Sequence, residues 1–243
     1  MSKHIKNYKF NLLFCTFAYL KMQNPIPYII ANNIFWMSVE RGLFWEEKKT
    51  LVVADLHLGI KDIYTKPGLA IPQTSYTADL DRLKALLYHF KADKLLLIGD
   101  ISQTKNKKQV DEFFSWRKHF SLLQIDVIQI KEDILTLPFY EEANIQLHKM
   151  ETTVEGFRFR LDDKRFKDAN KKKAPFTFYG HVHPAIPLAG EERKLKKYPC
   201  YYFTPKKCLL PAFSHYKKNG VKVQPRKNEF VYALKENELV QVV

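Results

Sequence analysis

The chain has 243 residues, of which 46% are hydrophobic, so it can bury the core of one large α/β domain or two small ones. Its net charge of +14 permits attraction to polyanions such as nucleic acid, but lysine-rich composition is equally typical of A/T-rich coding bias. The three cysteines form no CxxC pair, which argues against a zinc ribbon or a disulfide framework and favours the reducing cytoplasm.

Residues 1–21 differ from the rest of the chain. Three lysines precede an apolar run over residues 10–20, which has the length of a signal-peptide core and is too short to cross a membrane as a helix. The run is not followed by the small residues of a cleavage site. We interpret residues 1–21 as an N-terminal extension from a misassigned start, with a signal sequence as the alternative, and residues 22–243 as a single domain.

Strands and helices alternate in the first half of the chain. Short apolar groups separated by turns predict strands over residues 26–54, the last of them a buried strand at 51–54. Leucines three and four positions apart predict a helix over 74–92, and a similar pattern predicts a second over 109–120. Buried strands are predicted at 95–98 and 125–130. This alternation favours an α/β arrangement.

The second half of the chain is rich in predicted strands. Strands are expected at 143–148, 156–161 and 176–179, and the aromatic tail is expected to form core strands that end in a hairpin around residues 235–237. The polar, lysine-rich segment 163–175 predicts a mobile loop. A second sheet packed on the first is therefore expected.

Polar side chains follow four of the predicted strands directly. In an open α/β sheet, the carboxyl ends of the strands meet at one edge, where ligands collect. One Asp-x-His is weak evidence, but the repetition of the pattern favours a metal site, and mixed His and carboxylate ligands suit Mn, Zn or Fe. The residues at these junctions are Asp55 and His57, Asp100, Lys131 and Glu132, and His181 and His183.

The order Asp-x-His, Gly-Asp, Gly-His-x-His resembles the calcineurin-like metallophosphoesterases. The segments VVADLHLG, LLLIGDIS, FFSWR, GHVHPAI, YPCYYF and LLPAF are similar to the bacterial DNA-ligase-associated branch of that superfamily. Its members are predicted nucleases or phosphodiesterases found alongside a repair ligase and a helicase. The resemblance covers roughly residues 26–243. It implies an α/β/β/α sandwich, with two packed mixed sheets flanked by helices. It also implies a metal-dependent phosphoesterase whose partners are nucleic acid, a DNA ligase and a helicase.

The resemblance also implies ligands for two metal ions. Asp55, His57 and His183 correspond to the ligands of the first ion, and Asp100 corresponds to the carboxylate that bridges the two. His181 corresponds to a ligand of the second ion.

Three positions depart from the family pattern in the second half of the site. Lys131 stands in place of an Asn ligand, Glu132 in place of a His near the leaving group, and Leu161 in place of a later His ligand. An alignment shifted by one residue would offer Asp162 instead. Because an ammonium group repels a cation, we expect one divalent ion per chain rather than two.

Three interpretations follow. The chain is a single-metal phosphoesterase with altered activity, in which Lys131 supplies positive charge and Glu132 acts as a general acid or base. Alternatively, it is an inactive relative that binds nucleic acid or serves as a scaffold. The third interpretation, ranked below these two, is a complete two-metal enzyme with Glu132, Asp162 or His148 as substitute ligands.

Overall fold

The computed structural model of the chain describes residues 24–58, 74–102, 107–129, 135–161, 174–189, 195–214, 220–235 and 237–243. Residues 1–21, Lys131, Glu132, Asp162 and most of the predicted loop over 163–175 lie outside the described residues.

Seven strands of the described residues form a first sheet, in which they lie in chain order. They are β1 (Ile26–Ile30), β2 (Asn33–Met37), β3 (Leu43–Trp45), β4 (Thr50–Ala54), β5 (Lys94–Ile98), β6 (Gln124–Gln129) and β7 (Ile145–Lys149). A short 3-10 helix, Glu46–Lys48, joins β3 to β4. The pairs from β1 to β4 are antiparallel, whereas those from β4 to β7 are parallel. The carboxyl ends of β4, β5 and β6 therefore meet at one edge.

Helices cover the outer face of this sheet. In the part of the chain that the structure describes, they are α1 (Thr74–Phe90), α2 (Lys107–His119) and α3 (Leu137–Glu142). The predicted apolar stripe of α1 is buried at Leu80, Leu83 and Leu87 against alternate residues of β4 and β5. Each parallel step from β4 to β6 is therefore a strand–helix–strand crossover with a helix on this face.

Nine described strands form a second, mixed sheet. They are β8 (Glu151–Val154), β9 (Phe157–Leu161), β10 (Thr177–Gly180), β11 (Pro184–Ala189), β12 (Leu195–Thr204), β13 (Lys207–Leu209), β14 (Val221–Lys222), β15 (Phe230–Lys235) and β16 (Glu238–Gln241). The order is β14-β11-β12-β13-β10-β9-β8, with β15 paired to β12 and β16 to β15. Strands β9, β10 and β13 are parallel, and β15 and β16 form the predicted terminal hairpin.

The two sheets pack face to face through an aromatic core. Val52 and Leu96 of the first sheet lie in the same buried cluster as Phe178, Tyr201 and Phe203 of the second. The aromatic tail is therefore core, as predicted. Two packed mixed sheets with helices on the first confirm the predicted α/β sandwich.

Several elements are not predicted from the sequence. Helix α3 has only six residues and begins with a proline in its first turn, so it is too short to show a periodic apolar face. Strand β11 contains Pro184 and Pro187, and prolines argue against a strand when sequence alone is read. None of the described helices is long and apolar enough to cross a membrane.

Candidate metal centre

Four of the predicted ligands meet where the carboxyl ends of β4 and β10 come together. Asp55 and His57 follow β4, and His181 and His183 follow β10. In the described residues, one potential ligand atom from each of the four lies within 4.8 Å of the others. Asp55, His57 and His183 are buried, while His181 is partly exposed. The first sheet thus supplies half of the group and the second sheet supplies the other half.

The Asp55 carboxylate is the centre of this group. Its Oδ2 atom accepts the backbone N–H of His181 at 2.9 Å and lies 2.5 Å from His183 Nε2. Its Oδ1 atom lies 3.1 Å from His181 Nδ1. Burial raises the pKa of Asp55, but the surrounding imidazoles outweigh burial and hold that pKa well below its usual range. The carboxylate is therefore ionised, as a metal ligand must be.

His57 provides the test of whether a metal fits. The side chain is 2% exposed, and neither ring nitrogen has a hydrogen-bond partner among the described residues. Its Nε2 atom lies 3.3 Å from Asp55 Oδ1 but forms no hydrogen bond with it. Buried polar atoms without partners are costly, and a divalent ion would accept the lone pair of a neutral imidazole. The donor set fits Mn, Zn or Fe.

All four residues have a left-handed backbone. The φ angles are 48° for Asp55, 47° for His57, 58° for His181 and 52° for His183. Residues other than glycine seldom adopt this conformation, and it is concentrated at functional sites. Backbone hydrogen bonds hold the first pair at the end of β5: the N–H of Asp55 donates to the carbonyl of Ile98 at 3.1 Å, and the N–H of His57 donates to the carbonyl of Asp100 at 3.2 Å.

The glycines of the Gly-Asp and Gly-His-x-His motifs stand where a side chain would not fit. A Cβ on Gly99, which has a φ of 115°, would lie 2.0 Å from Asp55 Oδ1. A Cβ on Gly180 would lie 2.5 Å from the carbonyl oxygen of Ile98. The first glycine makes room for the carboxylate, and the second lets β10 approach β5 closely.

Asp100 lies beside this group. Its Oδ2 atom is 3.9 Å from His57 Nε2, and its side chain is 19% exposed. Because His181 and Asp100 are the partly exposed members, the site opens to solvent on their side.

Of the positions that depart from the pattern of the resembled family, the structure describes Leu161 but not Lys131 or Glu132. Leu161 is 1% exposed, pairs in register with Gly180, and packs in the core between the sheets, so it offers no ligand atom. His148 is not a member of the described ligand group, and its Nε2 atom lies 2.9 Å from Asp126 Oδ2.

Residues 212–214 form a third segment at the site, which bonds to the backbone of Ala54 and Asp55. The sequence does not predict this contact. The N–H of Phe213 donates to the carbonyl of Ala54 at 2.6 Å, and the N–H of Ser214 donates to that of Asp55 at 3.3 Å. Ala212 and Ala54 form an isolated parallel bridge. The one available signal was the segment LLPAF, which carries part of the resemblance and ends in this stretch.

Comparison with solved structures shows the same fold in another protein. The crystal structure of the Pseudomonas putida nuclease MPE is similar to this chain with a TM-score of 0.72 and 22% sequence identity. The similarity covers 90% of this chain and 100% of that one. No family model matches the sequence, and no curated protein matches it. The similarity shows that the two chains share a fold.

Proposed function

We propose that the protein is a metal-dependent phosphoesterase of the nuclease type, which hydrolyses a phosphodiester and has nucleic acid as its substrate class. The observation that carries this proposal is the buried group of Asp55, His57, His181 and His183, in which His57 retains two ring nitrogens without described hydrogen-bond partners. The similar fold of a nuclease supports the choice of a phosphodiester. The net charge of +14 permits the approach of a polyanion.

The residues of the site have distinct tasks in this proposal. Asp55, His57 and His183 hold one divalent ion, which when bound would polarise a phosphoryl group and promote the ionisation of water near neutral pH. Asp55 contributes negative charge, and its low pKa keeps that charge in place. His181 and Asp100 line the side through which substrate enters, because they are the partly exposed members of the site.

We propose one ion of Mn, Zn or Fe per chain. The buried carbon side chain of Leu161 supports this number, since it lies where the family resemblance implies a His. Lys131 would supply fixed positive charge near the phosphate, and Glu132 would exchange a proton with the reacting groups. Action in DNA repair, together with a DNA ligase and a helicase, belongs to the same proposal and follows from the resemblance.

Metal content and hydrolysis test the proposal together. Protein loaded with excess Mn²⁺ and then desalted should retain one equivalent by elemental analysis, and it should hydrolyse bis(p-nitrophenyl) phosphate and labelled single-stranded DNA. Asp100→Asn should lower the hydrolysis rate. Protein that retains no metal would refute the proposal, and two equivalents would refute the single-ion form of it. Activity unchanged by Asp100→Asn would show that the chemistry lies elsewhere.

The alternative of an inactive relative predicts a different pattern. Such a protein would bind DNA, with an affinity that falls steeply as salt rises, and would not hydrolyse it under any metal condition.

A further inference from the structure

We propose that two arginines, the buried Arg82 and the partly buried Arg41, are positioning residues for Asp55, because they hold residues 212–214 against the backbone of that ligand. This inference rests on the proposed metal site, since the quantity that it predicts is the affinity of that site for a divalent ion.

Arg82 holds the middle of the segment. It belongs to α1, is 5% exposed, and its Nη2 atom donates to the carbonyl of Phe213 at 2.5 Å. Its guanidinium carbon lies 4.1 Å from the centre of the Phe213 ring. The buried charge is balanced by Asp79, whose Oδ1 atom is 3.0 Å from Nη2, and by Glu40, whose Oε2 atom is 3.8 Å from Nε. One arginine thus contacts both the backbone and the side chain of Phe213.

Arg41 holds the two flanking residues. It lies in the turn between β2 and β3 with a φ of 68°, and its Nη1 atom donates to the carbonyls of Ala212 at 3.2 Å and Ser214 at 2.7 Å. The hydroxyl of Tyr201, on β12, lies 2.9 Å from the carbonyl oxygens of Ser38 and Gly42 in the same turn. The turn that carries Arg41 is therefore braced from the second sheet.

Residues 212–214 connect the two arginines to the ligand. Their three carbonyls accept hydrogen bonds from guanidinium groups, while the N–H groups of Phe213 and Ser214 donate to Ala54 and Asp55. Asp55 has a left-handed backbone, so its conformation requires support from the surrounding structure. The segment supplies that support through the hydrogen bonds from Phe213 and Ser214 to the backbone of Ala54 and Asp55. A shift of the segment would move the Asp55 backbone and therefore its carboxylate.

The forked guanidinium explains why both residues are arginines. It presents several donors in a fixed plane and can bind more than one carbonyl, whereas a lysine ammonium acts as a single point charge. Removing the Arg82 cation from water, and part of Arg41, is costly, which favours a role beyond packing. Burial and the adjacent Arg82 charge lower the pKa of Arg41 to about 10, so it remains charged at neutral pH.

Arg117 offers a matched control in the same chain. It is 6% exposed, and its guanidinium donates to the carbonyls of Ala143 at 2.7 Å, Asn144 at 3.5 Å and Phe120. These contacts tie α2 to the start of β7 and involve none of the proposed ligands. A variant of Arg117 therefore reports what the loss of a buried, carbonyl-binding arginine does by itself.

The test measures Co²⁺ binding by full-length Arg82→Met, Arg82→Lys and Arg117→Met proteins, using chelator competition and the visible Co²⁺ spectrum. Loss of a residue that orients a metal ligand commonly lowers metal affinity about 10- to 100-fold. We expect Arg82→Met to show a loss in this range with an altered spectrum, and Arg82→Lys to recover part of both. Arg117→Met should unfold at lower urea concentration yet bind Co²⁺ within about twofold of wild type.

The outcomes separate this inference from the proposed function. A wild-type protein that binds no Co²⁺ would refute the metal site itself. A wild-type protein that binds Co²⁺, with Arg82→Met equal to it, would refute the positioning role and leave the metal site standing. An equal loss in Arg117→Met would show a general effect of lowered stability and would also refute the role. If Arg82→Met does not fold, the less buried Arg41→Gln replaces it in the same comparison.

Discussion

Replacement of Gly99 by alanine perturbs the Asp55 carboxylate directly. The added Cβ would lie 2.0 Å from Oδ1 and 2.9 Å from Cγ of Asp55, whereas real Cβ contacts are essentially never shorter than 3.0 Å. The carboxylate must therefore move by about 1 Å, or the backbone must move by a similar distance. Alanine at a φ of 115° also adds backbone strain.

These distances set the size of the effect. A displacement of about 1 Å at a reacting group costs about 100-fold, and we expect a loss of that size in Co²⁺ affinity, equivalent to about 2.7 kcal/mol. The strain itself should lower the free energy of unfolding of the metal-free protein by about 1–3 kcal/mol. The two effects are measured separately, by Co²⁺ titration of folded protein and by urea denaturation without metal.

Gly156→Ala is the matched control. Gly156 also has a positive φ, 82°, but a Cβ there would meet no atom within 4 Å. This variant should lose stability through strain and keep its Co²⁺ affinity. The reasoning fails if Gly99→Ala binds Co²⁺ as tightly as wild type, or if Gly156→Ala loses as much affinity.

Three further outcomes are expected. Tyr201→Phe should lower the free energy of unfolding by about 1–3 kcal/mol, because it removes a buried hydroxyl from two carbonyls. In the same urea titration Tyr202→Phe should cost less, about 0.5 kcal/mol, because the Tyr202 hydroxyl meets Glu229 at a partly exposed position. His148→Gln should leave Co²⁺ affinity unchanged, and a weaker affinity would make His148 a substitute ligand. Mn²⁺ at about one hundred times its Kd should raise the free energy of unfolding by about 2.7 kcal/mol, and no rise would contradict the metal site.

The sequence predicts the strands that deliver the ligands because their signals are local. Each ligand motif directly follows a short apolar run. Asp55 and His57 follow a strand of the first sheet and His181 and His183 follow a strand of the second, so the four residues meet because the sheets pack with these strand ends together. Their arrangement is less predictable. The resemblance assigns His181 to a second ion, whereas its Nδ1 atom lies 3.1 Å from the carboxylate that serves the first.

The supporting contacts leave no local pattern in the sequence. Arg82 and Phe213 are 131 residues apart, and Arg41 and Ser214 are 173 residues apart, so their hydrogen bonds depend on how the two sheets pack. The sequence also does not predict the short strands β8 and β14, because their pairing with longer strands decides their conformation.

The candidate centre joins two sheets whose contributions are far apart along the chain. Asp55 and His181 are separated by 126 positions, so an ion that binds both would close a very long loop, much as a covalent crosslink does. The ligand group is complete only when the second sheet is docked on the first. The visible absorption of bound Co²⁺ therefore reports the native docking of the two sheets. Far-ultraviolet circular dichroism reports the helices and does not detect this docking.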